Sequence, residues 1–268
     1  MSSSKMGWQF LQNMLVMRHH LTNKLHFYKA NDVKPVLHFI TNTNYGYELA
    51  RVQQQRFLQD YPNETHIVNL FDRKTGTREL SKTIHIAQRN NCKIAFDVMR
   101  SENNQPFDAL LNRTIMEGNH HIVYKSYQMW KTDTLYKIER DLRFFASIGV
   151  PLHVRISDEP LFMNGPQSVS KSIIDIHYLK AVEYLLAHKK YLGDLVFSTH
   201  DPYLFDSLKD INMKNVYHCS YIGRDVAFRN KGAITKMVVI PFGHLQRKVN
   251  HIVSPTDYKD SRLFGHII

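Results

Sequence analysis

The chain has 268 residues, of which 43% are hydrophobic, and a formal net charge of +11. This apolar content is enough for the core of one globular domain and excludes a disordered chain. No apolar run approaches the ~20 residues that a membrane-spanning helix needs, so no transmembrane helix is predicted.

Short strand patterns and longer helical patterns alternate along the chain. The strands are rich in β-branched and aromatic residues, and the helical segments have apolar residues at three- and four-residue spacing. Eight such units in 268 residues match the usual size of a (β/α)₈ barrel, which is the α/β fold that we predict. An open doubly wound sheet is the alternative. The predicted strands are Pro35–Thr41, Thr65–Phe71, Cys92–Val98, His120–Ser126, Pro151–Ile156, Leu195–His200, Asn215–Ser220 and Met237–Pro241. The predicted helices between them are Tyr45–Asp60, Glu79–Arg89, Phe107–Met116, Thr134–Ala146, Ile173–Lys189 and Tyr203–Lys209.

The region before the first predicted strand reads as an amphipathic helix over Trp8–Tyr28. We expect residues 1–30 to be a helical extension that covers the bottom or side of a single barrel domain spanning 1–268. The segment lacks the apolar region and cleavage site of a signal peptide. Because Cys92 and Cys219 both lie in predicted strands, they are expected to be reduced, buried thiols of a cytoplasmic protein.

The positive charge is compatible with three kinds of anionic partner, namely nucleic acid, a membrane surface or a phosphate-bearing cofactor. No RNP-type strand, zinc pairing or glycine-rich clamp accompanies it. The basic residues are scattered over many helices, which favours a solvated surface. We therefore expect no specific nucleic-acid partner.

The segment Leu195–Pro202, LVFSTHDP, is the most informative stretch of the chain. It reads as a buried strand that delivers Thr199, His200 and Asp201 at its carboxyl end, where α/β proteins place their ligands. In a second interpretation, Thr199 and Asp201 are only turn and N-cap residues of the next helix.

Other predicted strands also end in chemically useful residues, which in a barrel would line one mouth. Their mixture of charges suits an anionic or zwitterionic ligand, although Lys125 and Asp97 could simply pair with each other. No metal site is expected, because the sequence has neither HExxH nor paired Cys-x-x-Cys motifs. The strand-end set is Thr41, Asn69, Asp97, Lys125, Arg155, His200, Tyr221 and Gly243.

Four motifs in one order resemble the proline dehydrogenase family. They are VRIS at Val154–Ser157, KSIIDIHYLKAVEYLL at Lys171–Leu186, FSTHDP at Phe197–Pro202 and VIPFG at Val239–Gly243. The likeness runs from about Thr65 to Val253. It implies a flavin-dependent (β/α)₈ barrel that binds FAD and oxidises proline to pyrroline-5-carboxylate. It also implies a quinone or another electron acceptor and contact with a membrane surface.

The resemblance assigns roles to individual positions. Arg155 matches an arginine that reaches the isoalloxazine ring and can stabilise negative charge there. The catalytic set that it implies is Arg155, Asp97 and Tyr221. The substrate-binding set is Arg247, Lys248 and Asn69. The cofactor-binding set is Arg155, Lys125, Lys171, Thr199, His200 and His218.

Several of these positions depart from the family pattern. Asp158–Leu161, DEPL, stands where the family has Lys-Gly-Ala-Tyr, so carboxylates replace a cation. Asn69 replaces a lysine, Lys125 and His218 replace glutamines, and Val239 replaces a tyrosine. Two hypotheses remain open: an active proline dehydrogenase-like enzyme acting on proline or a related cyclic amino acid, and an inactive barrel that serves as a binding or regulatory module.

Overall fold

The computed structural model describes residues 19, 21–40, 47–70, 76–98, 105–158, 170–199, 201–211, 213–221 and 235–243. Within these residues, eight strands alternate with helices. The strands are β1 (Lys34–Ile40), β2 (Thr65–Leu70), β3 (Lys93–Val98), β4 (Val123–Gln128), β5 (Leu152–Ser157), β6 (Leu192–Ser198), β7 (Val216–Tyr221) and β8 (Thr235–Gly243). The helices are α1 (21–30), α2 (Tyr47–Asp60), α3 (Gly76–Arg89), α4 (Gln105–Thr114), α5 (Thr134–Ser147), α6 (Lys171–Ala187) and α7 (Pro202–Leu208).

The eight strands form one closed parallel barrel in sequence order. Closure is made by β8, which pairs with β1 from Lys34 opposite Met237 to Ile40 opposite Gly243. The predicted (β/α)₈ barrel is confirmed, and the open sheet is excluded by this last pairing.

Alternation along each strand separates the barrel interior from the helix-facing surface. In β6, Val196 packs in the interior cluster, whereas Leu195 and Phe197 pack under the helices. The interior set is Val36, Ile67, Ala95, Tyr124, Val196, Tyr217, Cys219, Met237 and Val239. The phase fixed by these residues decides which neighbouring polar side chains face the interior.

Helix α1 lies on the side of the barrel. Its Leu21, Leu25 and Tyr28 are buried in a cluster with Val238 and Ile240 of β8. Of the two positions expected for the N-terminal helix, the described part therefore occupies the side.

Strand β4 begins later than the sequence predicted. The pattern indicated a strand from His120, but β4 begins at Val123. Helix α4 continues into a π-turn over Ile115–Asn119, in which Gly118 has φ 99°. This positive φ suits glycine, and the turn carries the chain to the barrel before the strand can start.

Candidate active site

An arginine–aspartate pair crosses the carboxyl end of the barrel. Arg155 of β5 donates from Nη1 to Asp97 Oδ1 of β3 at 2.5 Å, and from Nη2 to Ser198 Oγ of β6 at 3.3 Å. Strand β4 lies between β3 and β5, so this contact has to span the interior. Arg155 is only 3% exposed, and the contacts with Asp97 and Ser198 hold the guanidinium in place.

Strand β4 adds polar groups to the same mouth. Ser126 and Gln128 follow the interior residue Tyr124 at alternate positions, so they face the interior as well. Ser126 Oγ, Gln128 Oε1 and the indole Nε1 of Trp130 are buried without a hydrogen-bond partner among the described residues. Buried polar atoms are usually satisfied, so this corner of the mouth is suited to a polar ligand.

A second polar cluster lies beside the mouth, between β5 and β6. Thr199 Oγ1 donates to Asp158 Oδ2 at 2.6 Å and accepts from the Asp201 backbone N–H at 3.0 Å. The second oxygen of Asp158 is buried without a partner among the described residues. Burial raises the pKa of Asp158 to about 6, against the hydrogen bond from Thr199, which lowers it. Lys171 pairs with Asp201 and, at 2.8 Å, with Asp175.

Asp201 also has the structural role that the sequence left open. Its Oδ1 accepts from the backbone N–H of Tyr203 at 2.7 Å and of Leu204 at 3.4 Å, with Pro202 in the first turn of α7. It is therefore the N-cap of α7.

Two residues expected near the cofactor face the helices instead. Lys125 pairs with Asp141 of α5 and donates to Asn112 of α4 at 2.6 Å. This differs from the expected position in the mouth, and also from the alternative in which Lys125 pairs with Asp97. His218 packs against Phe205 of α7 with 4.3 Å between ring centroids, and burial lowers its pKa to about 3.

The remaining expected site residues are placed only in part. Asn69 pairs in register with Asp97, and Tyr221 pairs in register with Val239. The side chains of Asn69 and Tyr221 lie outside the described part of the chain. His200, Arg247 and Lys248 lie outside the described residues, as does Thr41, while Gly243 ends β8.

The sequence analysis overlooked the polar residues at the end of β4. Because that strand was expected to end at Ser126, Gln128, Trp130 and Lys131 were not considered part of the mouth. Strand alternation could have indicated Gln128, because residues two apart in a strand lie on the same face and Ser126 faces the interior.

The opposite end of the barrel holds a compact polar network. Asp194 Oδ2 accepts from Lys93 Nζ at 2.7 Å and from the Tyr124 hydroxyl at 2.5 Å. The Asp194 backbone N–H donates to His153 Nδ1 at 3.0 Å. Burial alone would raise the pKa of Asp194, but the hydrogen bonds from Lys93 and Tyr124 outweigh it, and the pKa lies well below its usual value.

Solved structures with this barrel were found, although no family model and no curated protein matches the sequence. Proline utilization A (PutA) of Bdellovibrio bacteriovorus, inactivated by N-propargylglycine, aligns with a TM-score of 0.61 and 12% identity, over 92% of this chain and 32% of that one. The chain shares the barrel fold of PutA. A PutA mutant of Bradyrhizobium japonicum aligns with a TM-score of 0.58 and 12% identity, over 77% of this chain and 25% of that one.

The likeness therefore confirms, at the level of fold, the resemblance to proline dehydrogenases. A further PutA structure, with proline bound in remote sites, aligns with a TM-score of 0.56 at 12% identity. The chain covers 26% of that protein, so it spans only a part of the PutA polypeptide.

Within the described ranges, no helix is both long enough and apolar enough to cross a bilayer.

Proposed function

We propose that the chain is a proline dehydrogenase-like flavoprotein, which oxidises proline or a related cyclic amino acid to pyrroline-5-carboxylate by hydride transfer to FAD. The observation that carries the proposal is the Arg155 guanidinium, fixed inside the mouth by Asp97 and Ser198. A guanidinium held in advance at this position stabilises negative charge without having to reorganise when that charge appears.

The polar residues of the mouth support the proposal of a bound flavin ring. Arg155 supplies a buried cation, and Ser126 and Gln128 face the interior with polar atoms that lack partners among the described residues. These groups match a planar ligand that has several hydrogen-bonding atoms. FAD, when bound, would supply the hydride acceptor.

The chain's own residues have separate tasks in this proposal. Arg155 polarises the flavin, and Asp97 holds Arg155 in place and orients the substrate amine. Thr199 and Lys171 are the proposed cofactor contacts at the β5–β6 corner, and His200 is a further proposed contact by resemblance alone. By resemblance alone, Tyr221 joins the catalytic set, and Asn69, Arg247 and Lys248 contact the substrate. A quinone or other electron acceptor and contact with a membrane surface belong to the same proposal.

The β5–β6 corner favours a second candidate, an inactive barrel that acts as a binding or regulatory module. Asp158 places a largely buried carboxyl group where the family pattern has a lysine. A carboxylate there repels a pyrophosphate, and Lys171, the nearest described cation in this cluster, is already engaged by Asp175 and Asp201.

The visible absorption spectrum of the purified protein tests both candidates. It would be recorded before and after addition of FAD, and then of L-proline without oxygen. Flavin bands that bleach with proline support the dehydrogenase, bands that stay oxidised indicate another substrate, and the absence of bound flavin overturns the oxidoreductase.

Arg155→Met and Arg143→Met form a matched pair for this experiment. Arg155 is 3% exposed in the mouth, whereas Arg143 lies on the outer surface of α5 and pairs with Glu139. We expect Arg155→Met to weaken FAD binding by about tenfold, the loss of one charge-assisted contact, and Arg143→Met to leave it unchanged. Equal effects of the two variants would contradict the proposed role of Arg155.

A further inference from the structure

The turn between β4 and α5 holds Lys131 at the carboxyl end of the barrel. The Lys131 backbone N–H donates to Gln128 O at 3.1 Å, and Thr134 Oγ1 donates to the same oxygen at 2.7 Å. Met129, which is fully buried, anchors the start of the turn by donating its backbone N–H to Ser157 O at 2.8 Å. The main chain at Lys131 is therefore fixed beside the mouth.

Among the described residues, no carboxylate pairs with the ammonium group of Lys131. Its Nζ lies 5.2 Å from the centroid of the Trp130 ring, and it forms no ion pair with any described residue. The carboxylates around it are already engaged: Lys137 pairs with Asp133 at 2.8 Å and with Asp108 at 3.5 Å. Asp97, whose charge also reaches Lys131, is bonded to Arg155.

The charge of Lys131 is costly in this position. Burial, together with the charge of Lys137, lowers the pKa of Lys131, and the charges of Asp108, Asp133 and Asp97 oppose this shift. Because those acids do not fully compensate, an added anion would stabilise the ammonium.

The neighbouring indole supplies a second donor. Trp130 Nε1 is buried and donates to no described residue. An indole N–H and an ammonium group can only donate hydrogen bonds, and within the described part of the chain neither has an acceptor. An anion meets that need, and a carboxylate has two oxygens for two donors.

We propose that Lys131 and Trp130 bind the carboxylate of the substrate. The inference rests on the proposed function. It specifies a zwitterionic substrate whose carboxylate is held at the β4–α5 corner. In the family pattern that contact belongs to an arginine pair, which is reduced here to Arg247 and Lys248. The β4–α5 corner offers a carboxylate contact that does not depend on them.

The test compares two probes that differ only in the carboxylate. L-Proline carries the anion, whereas L-prolinamide replaces it with a neutral amide. Isothermal titration without oxygen, with the bound FAD reduced beforehand so that it cannot accept a hydride from L-proline, would measure the affinity of both probes for the parent chain, Lys131→Met, Trp130→Phe and Lys137→Met. Lys137 is the matched control, because it lies on the same rim but has its own carboxylates.

We expect Lys131→Met to weaken L-proline binding by about tenfold, the cost of one charge-assisted hydrogen bond, and to leave L-prolinamide binding unchanged. Trp130→Phe should weaken L-proline binding by about threefold, since it removes a neutral donor. Lys137→Met should retain the parental preference for L-proline. A Lys131→Met variant that still prefers L-proline as strongly as the parent overturns the inference. A loss of FAD affinity with unchanged discrimination between the probes also overturns it, because the bound anion would then be a cofactor phosphate.

A second arm separates this inference from the proposed function. If the parent chain binds neither probe, the proposed substrate is wrong, and Lys131 is then tested without FAD. Acetic anhydride labelling followed by peptide mass spectrometry would compare Lys131 with Lys137 in the presence of cyclopentanecarboxylate, which has a five-membered ring and a carboxylate but no amine. Selective protection of Lys131 supports a carboxylate site, and equal labelling of both lysines overturns it.

Discussion

The two ends of the barrel interior both contain polar residues, but they differ in how many of the polar groups have hydrogen-bond partners among the described residues. At the amino end, the Asp194 carboxylate is surrounded by Lys93, Tyr124 and His153, which all contact it. At the carboxyl end, Ser126 Oγ and Gln128 Oε1 are buried without partners among the described residues. A satisfied network stabilises the fold, whereas unsatisfied buried groups at the carboxyl end favour the ligand-binding role that we propose for it.

The largest effect is expected from Asp194→Asn, which removes the charge at the centre of the amino-end network. Lys93 and Tyr124 would lose a charged acceptor inside the barrel. The free energy of unfolding should fall by about 3 kcal/mol, at the low end for a buried pair because Lys93 is partly exposed. Urea unfolding measures this change, and FAD affinity should not change. An unfolding free energy equal to that of the parent would contradict the stabilising role.

Gly193→Ala should disturb the same network through packing. A Cβ at Gly193 would lie 2.6 Å from Cε1 and Nε2 of the His153 ring, so the ring would have to move away from Asp194. We expect a loss of about 2 kcal/mol, typical of overpacking. In a His153→Ala background the clash is absent, and the cost of Gly193→Ala should largely disappear. The same cost in both backgrounds would show that the contact with His153 is not its cause.

Asp158→Asn should raise the free energy of unfolding, whereas Asp194→Asn should lower it. The native pKa of Asp158 is raised to about 6, so the folded chain binds more protons than the unfolded chain as the pH rises from ~4. Stability is therefore lost as the pH rises through this window, and Asn removes that loss. The variant should be about 1 kcal/mol more stable than the parent at neutral pH, with the difference vanishing at acidic pH. A difference that does not depend on pH would contradict this account.

The pKa of Asp194 is lowered, so the stability that Asp194 contributes depends on pH in the opposite way to that of Asp158. It is present above the usual carboxyl pKa and lost as the pH falls through the native value. Urea unfolding across acidic and neutral pH would give the difference in unfolding free energy between each variant and the parent. Plotted against pH, this difference should have opposite slopes for Asp158→Asn and Asp194→Asn.

The smallest effect is expected from Arg143→Met at the surface pair with Glu139. The side chains of this pair are 75% and 41% exposed. The free energy of unfolding should change by less than about 0.5 kcal/mol, because exposed ion pairs contribute little. A change as large as that of Asp194→Asn would mean that the difference between buried and exposed pairs does not govern stability here.

Local patterns predicted most of the elements. The strand–helix alternation placed all eight strands, and the sequence Asp201-Pro202 marked the start of α7. Arg155 was expected in the mouth and lies there. These features depend on backbone preference and on neighbouring residues, which a sequence displays directly.

The β4 region could not be predicted in the same way. Tyr124, Lys125, Ser126 and Tyr127 put one aromatic and one polar residue on each face, so hydrophobic alternation does not fix the phase of the strand. A change of one residue turns every side chain to the opposite face. The orientation of Lys125, and with it the roles of Gln128, Trp130 and Lys131, therefore depended on the folded barrel.

The sequence by itself determined the eight strand–helix units, because periodicity and capping are local properties, whereas closure of the barrel required the pairing of β8 with β1. Only the tertiary structure decided which charges meet. Lys125 pairs with Asp141, Asp97 pairs with Arg155, and Lys131 is left without a carboxylate among the described residues. These choices depend on distances across the closed barrel and on the burial of each group, which arise only when distant segments pack together.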